Sequence, residues 1–205
     1  MVDTNLNLCS IYFLNENVGW MGGVADTGSG DMDTPVILKT TNGGGNWDQV
    51  LITSGYWGES INDVFFVNAD VGYAAGGLCN IGGCGGQIFK TTNGGETWNE
   101  QIAPNLAYQG IVFIDVEYGF TVANSGGMIG PSPGKILRTE DGGINWGVVF
   151  DPPTLLWLTG ITFFDSGLWA VGLKEFSEGT ILFSSDMGEN WSSQGVFSYP
   201  PLNVV

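Results

Sequence analysis

Along the chain, short apolar runs rich in β-branched and aromatic residues are separated by clusters of Gly, Asn and Asp. Runs of this kind, bounded by turn formers, predict strands joined by hairpins. No stretch of about 11 residues carries a helical period. The runs recur in a fixed order. One landmark reads SIYFLNENVGWMGG (Ser10 to Gly23), then DVFFVNADVGYAAGG (Asp63 to Gly77), GIVFIDVEYGFTVAN (Gly110 to Asn124) and GITFFDSGLWAVG (Gly160 to Gly172). A second is an octet: TTNGGGNW (Thr40 to Trp47), TTNGGETW (Thr91 to Trp98), TEDGGINW (Thr139 to Trp146) and SSDMGENW (Ser184 to Trp191).

The two landmarks keep one beat. The tryptophans at 47, 98, 146 and 191 are 51, 48 and 45 residues apart, and the phenylalanines at 13, 66, 113 and 163 precede them by 34, 32, 33 and 28. Each unit therefore reads as four strands: one around the Phe, one after a turn such as NENVG, a third (VILKT, QIFKT, KILRT, TILFS) entering the octet, and a fourth leaving it. Four strands in roughly 40–50 residues is the repeat of a β-propeller blade. The expected fold is all-β, one domain over residues 1–205, with blades at about 6–54, 60–104, 109–151 and 159–199. The tail at 202–205 resembles the opening of a further inner strand. Three arrangements stay open: a piece of a longer propeller, which the tail favours, a four-bladed ring, or a pairing of two copies.

The octet is expected to be a structural turn between strands three and four. Asn42, Asn93, Asp141 and Asp186 are placed to bind turn N–H groups through their side chains. Gly44, Gly95, Gly143 and Gly188 hold a position where only glycine occurs, which predicts positive φ. The preceding position holds Met187 in the last copy, so it is expected not to need one. Trp47, Trp98, Trp146 and Trp191 should pack on the sheet.

These octets resemble the Asp-box, or BNR, repeat of sialidases, sortilin-type receptors and xyloglucanases. The longer unit, with ILKTTNGG after F-x-N/D-x-x-x-G-W/Y, is similar to that of the photosystem II stability/assembly factor family of propellers. The resemblance covers nearly the whole chain and implies the fold, which hosts many activities. It also exposes departures. Sialidases hold a substrate carboxylate with three arginines, whereas only Arg138 is present. The photosystem factors carry an arginine-rich face and seven blades, and this chain shows four repeats.

Composition narrows the partners. With 21 acidic and 5 basic side chains the net charge is −16, which disfavours nucleic acid and anionic membranes. There is no membrane-length apolar run and no signal peptide in MVDTNLNLCS. Cys79 and Cys84 flank a glycine-bearing loop and are a candidate disulfide, while Cys9, in an apolar run, reads as a buried thiol. An extracellular or periplasmic location follows.

Without His, triad chemistry and a zinc site have no material. Asp26, Asp31 and Asp33 are a weak Ca²⁺ candidate that misses the EF-hand spacing, so no cofactor is expected. Binding belongs to the variable loops between strands two and three and between blades. There Tyr56, Trp57, Glu59, Tyr108, Trp157 and Glu175 suit a peptide or a sugar. The expected function is a non-catalytic binding or assembly module of a secreted or cell-surface protein, with a protein or glycan ligand. The alternatives are a glycoside hydrolase or glycan-binding fragment using Asp/Glu pairs, and a structural subunit that self-associates through blade edges.

Overall fold

A computed structural model describes residues 5–26, 34–52, 60–80, 83–126, 133–154, 156–174 and 178–198. These contain strands and turns, with no helix among the described residues. Sixteen strands form four separate antiparallel sheets, each built from four consecutive strands in simple order. Blade 1 comprises β1 (Asn5–Phe13), β2 (Gly19–Asp26), β3 (Thr34–Thr40) and β4 (Asp48–Ile52). Blade 2 comprises β5 (Ile61–Phe66), β6 (Gly72–Asn80), β7 (Gly83–Thr91) and β8 (Asn99–Glu100). Blade 3 comprises β9 (Ala107–Phe113), β10 (Gly119–Asn124), β11 (Gly134–Thr139) and β12 (Gly147–Phe150). Blade 4 comprises β13 (Leu156–Phe164), β14 (Gly167–Lys174), β15 (Glu178–Ser184) and β16 (Ser192–Ser198). The tail at 202–205 lies outside the described residues.

Each blade stacks on the next. The first strands β1, β5, β9 and β13 pack in succession, and β2, β6 and β10 also press on the first strand of the following blade. The core consequently lies between sheets. One cluster joins Trp20 and Ile37 of blade 1 to Ile61, Val64, Phe66 and Phe89 of blade 2. A second joins Tyr73 and Ile88 to Tyr108, Ile111 and Leu137, and a third joins Phe120 and Ile136 to Leu158, Leu168 and Leu182. Among the described residues, no strand of blade 4 packs comparably on blade 1. Over the described residues the stack is an open arc.

Two local features recur or break the repeat informatively. Each first strand carries one unpaired residue where its register slips: Cys9, Asn62, Gln109 and Thr159. Such a bulge takes its residue out of the in–out alternation of the pleat. For this reason Cys9 is exposed, correcting the buried thiol expected from its apolar run; its Sγ lies 3.4 Å from Ser60 Oγ. Asn62 instead reaches forward, donating to the carbonyls of Gly77 and Tyr108 at 2.9 and 2.7 Å.

The turn between first and second strands is a five-residue loop in blades 1 to 3. Asn15, Asn68 and Asp115 each accept two backbone N–H bonds there, which fixes the loop. Blade 4 replaces it with a two-residue turn at Asp165 and Ser166, at φ 48° and 67°, the left-handed pair that suits a tight hairpin. That deletion accounts for part of the shorter Phe163-to-Trp191 interval. In blade 2 the fourth strand is only Asn99–Glu100. One further bond, from Gln101 N–H to Ile88 O, extends it before Pro104, which has no N–H to donate.

Candidate functional site: the blade junctions and the loop face

The octet turns are the best-defined local structures. In each, the side-chain hydroxyl of the first residue accepts the N–H of the second turn glycine: Thr40 from Gly44, Thr91 from Gly95, Thr139 from Gly143 and Ser184 from Gly188, at 2.8 to 2.9 Å. The same hydroxyl donates to the Asx carboxyl or amide oxygen. That oxygen in turn accepts the N–H four residues on, at Asn46, Thr97, Asn145 and Asn190. The Asx residues therefore do what their spacing predicts. These bonds hold the Asp141 carboxyl below the ordinary range and bring Asp186 to about 2, with the Asn145 and Asn190 contacts as the leading causes.

The expected positive φ is present at Gly44, Gly95, Gly143 and Gly188, from 79° to 88°. The expectation for the preceding position is corrected. Gly43, Gly94, Gly142 and Met187 are also left-handed, at 67°, 67°, 68° and 59°. The two positions differ in what lies beside them. A φ near 60° sits in the small left-handed region that a side chain tolerates at a cost, so Met187 fits. At the second position a Cβ at Gly95 would lie 2.4 Å from Trp20 Nε1, and one at Gly188 would lie 2.8 Å from Phe120. Backbone and neighbour together require glycine at Gly95 and Gly188.

The tryptophans pack edge-on against the first-strand Phe of their own blade. Phe13–Trp47, Phe66–Trp98 and Phe113–Trp146 are T-shaped pairs with centroids 5.8 to 6.0 Å apart. In blade 4 the partner changes, and Trp191 meets Phe150 of blade 3 at 6.2 Å. Octet and first turn share one end of each of blades 1 to 3, joined by the N–H of Gly43, Gly94 and Gly142 to the carbonyls of Asn17, Asp70 and Glu117.

Four of the five basic side chains are absorbed by this scaffold. Lys39 pairs with Glu96 across the blade 1–blade 2 junction and lies 5.8 Å over the Trp20 ring. Lys90 donates to Gly142 O at 2.7 Å, over Tyr73, and burial lowers its pKa. Arg138 binds Glu140, Glu189 and Met187 O. Lys135 pairs with Asp151. Asp63 is the half-buried counterpart on the acidic side. Desolvation pushes its carboxyl up to about 6, although its oxygens accept the N–H groups of Val64 and of Ile111 in the next blade.

The candidate ligand residues fare unequally. Tyr108 is fully buried in the second inter-blade cluster with its hydroxyl donated to Pro104 O, so it is a core residue and not a contact for ligand. Its place on β9, facing blade 2, is the reason. Trp157 is half-buried on β13, paired with Leu173. Tyr56, Trp57, Glu59 and Glu175 lie outside the described residues, as do Asp31 and Asp33. Asp26 ends β2, and among the described residues no three His, Cys, Asp or Glu side chains form a metal-binding cluster. The Cys79–Cys84 disulfide is present and joins directly opposed residues of β6 and β7. Sequence reasoning missed the junction residues Lys39, Lys90 and Arg138, although their recurrence before Thr in ILKT, IFKT and ILRT marks them.

Solved structures of similar fold include YCF48 bound to a D1 peptide, at 18% identity and TM-score 0.54. They also include a GH74 enzyme of Niastella koreensis (15%, 0.64) and a Trypanosoma rangeli sialidase in complex with the inhibitor DANA (12%, 0.62). The chain is an Asp-box β-propeller. The matches cover 96%, 91% and 93% of this chain, but 68%, 30% and 38% of those proteins. At these identities the likeness concerns fold. No protein-family model and no curated protein matches the sequence.

Proposed function

We propose that this propeller is a non-catalytic binding module of a secreted or cell-surface protein, and that it takes an extended, neutral or basic polypeptide segment on the face opposite the octet turns. The observation that carries this reading is the disposition of charge. Lys39, Lys90, Lys135 and Arg138 are spent on blade junctions and on Asp151, while the chain carries −16 overall. An acidic surface with its cations engaged elsewhere attracts basic ligands and repels acidic ones. A peptide complex of the similarly folded YCF48 supports the ligand class.

The carboxylate-pair glycosidase gains little from the described side chains. Asp63, whose raised pKa would suit an acid, is half-buried with both oxygens taken up by backbone N–H groups of Val64 and Ile111, and Arg138 is committed to blade 4. Titration calorimetry with short peptides graded from acidic to basic tests the proposal. Basic and neutral peptides should bind, more weakly as salt rises, and Tyr56→Ala with Trp57→Ala should reduce binding about tenfold or more. Binding that ignores peptide charge, or that occurs only with xyloglucan oligosaccharides, refutes it.

A further inference from the structure

The three junctions between consecutive blades share one plan. At the first two, the second-strand aromatic of one blade lies over the first-strand Phe of the next, with Trp20 on Phe66 at 3.6 Å and Tyr73 on Phe113 at 3.7 Å between ring centroids. The same ring covers the second octet glycine of that next blade: Trp20 at Gly95, Tyr73 at Gly143 and Phe120 at Gly188. Directly across the strand pair from each aromatic stands a cation, Lys39, Lys90 or Arg138, which reaches the same octet. Where the residue after that glycine is Glu96 or Glu189, the cation pairs with it. Where it is Ile144, Lys90 turns to Gly142 O.

Blade 4 departs from the plan on its outward face. Opposite Trp169 stands Phe183 in place of the cation, with ring centroids 4.4 Å apart. Blade 1 departs at the matching place, because its octet has Gly45 where the others have Glu96, Ile144 and Glu189. A Phe set against a glutamate would desolvate a charge with no partner; set against Gly45 it meets no charge. The two end faces thus carry paired substitutions. Both also show apolar surface that the internal junctions bury. Phe13 is 41% exposed where Phe66 and Phe113 are buried, and Trp169 is 36% exposed where Trp20, Tyr73 and Phe120 are buried.

We propose that blade 4 docks on blade 1 of a second copy, and that two such junctions close two chains into an eight-bladed ring. Trp169 covers the partner copy's counterpart of Phe13 and Gly44, and Phe183 lies against its Gly45. Val171 meets Leu8 by the same correspondence: Val122 and Leu158 hold the equivalent positions at the third junction and are buried together in one cluster. Within one chain the two faces do not pack among the described residues. A head-to-tail contact repeated twice closes with twofold symmetry, and eight blades are within the usual range. This assembly is separate from ligand binding on the loop face.

Light scattering of the 205-residue chain over a tenfold concentration range tests the proposal. Wild type should hold at twice 21.8 kDa, or 43.6 kDa. Leu8→Lys and Val171→Glu alter side chains that are 43% and 45% exposed in the single chain, so each variant should fold. Each alone should fall to 21.8 kDa, and an equimolar mixture should return to 43.6 kDa, because both junctions then pair wild type with wild type and Lys with Glu. A wild-type monomer, a mass that climbs steadily with concentration, or a pair untouched by either variant would each overturn it.

Discussion

Gly44 and Gly95 hold the same place in successive octets, at φ 87° and 79°, yet have different neighbours. A methyl group at Gly44 would meet only its own Trp47, at 3.6 Å, whereas at Gly95 it would collide with Trp20 of the preceding blade. Gly44→Ala should cost about 1 kcal/mol, the price of a left-handed alanine. Gly95→Ala should cost at least about 1 kcal/mol more, since the Trp20–Phe66 stack must shift. Urea midpoints of the two variants check the order. Asp63 makes a pH prediction at the same scale. Its folded pKa, about 6, lies above its ordinary 3.8, so the fold favours the protonated form. Its contribution is fully present below pH 3.8 and is lost as pH rises through 6. Asp186, at about 2, acts in the opposite sense: its stabilisation is present above 3.8 and lost as pH falls toward 2. Urea midpoints at pH 4 and pH 6.5 should fall across that interval in wild type, and Asp63→Asn should remove Asp63's share of the fall.

Sequence and structure agree best on elements whose geometry depends on local residue types. Thr, Asx and Gly at fixed spacing specify the octet because their own hydrogen bonds close it, so four turns were legible before any packing was known. What escaped depends on neighbours distant in the chain. Tyr108 looked like a loop aromatic, but its burial is set by Tyr73 and Leu137 in two other strands. Met187 hid the left-handed pair, because one tolerated side chain masks a backbone requirement shared by all four copies. The loops proposed for binding carry no repeat, so neither their spacing nor their sequence announces a conformation. The Cys79–Cys84 bond was legible from its loop and clips β6 to β7 across a short connection. Its loop-closure contribution is about 2 kcal/mol. Reduction should therefore speed amide exchange in β6 and β7 more than in the corresponding strands β2 and β3, which mass-spectrometric exchange can resolve.

For the whole molecule, the chain of junctions has a direction. Trp20 is covered by Gly95, Tyr73 by Gly143 and Phe120 by Gly188, always by residues that come later in the chain. The intervals are 75, 70 and 68 residues, counted from 20 to 95, 73 to 143 and 120 to 188. On a ribosome adding roughly 5–20 residues per second, each aromatic face emerges about 3 to 15 s before the turn that shields it. Blade 1 can pair its strands as soon as it leaves the exit tunnel, but its outward face stays bare until the next octet has been synthesised. The nascent chain thus always carries one sticky flank at its growing end, and a chaperone or a neighbouring nascent copy will meet that flank first.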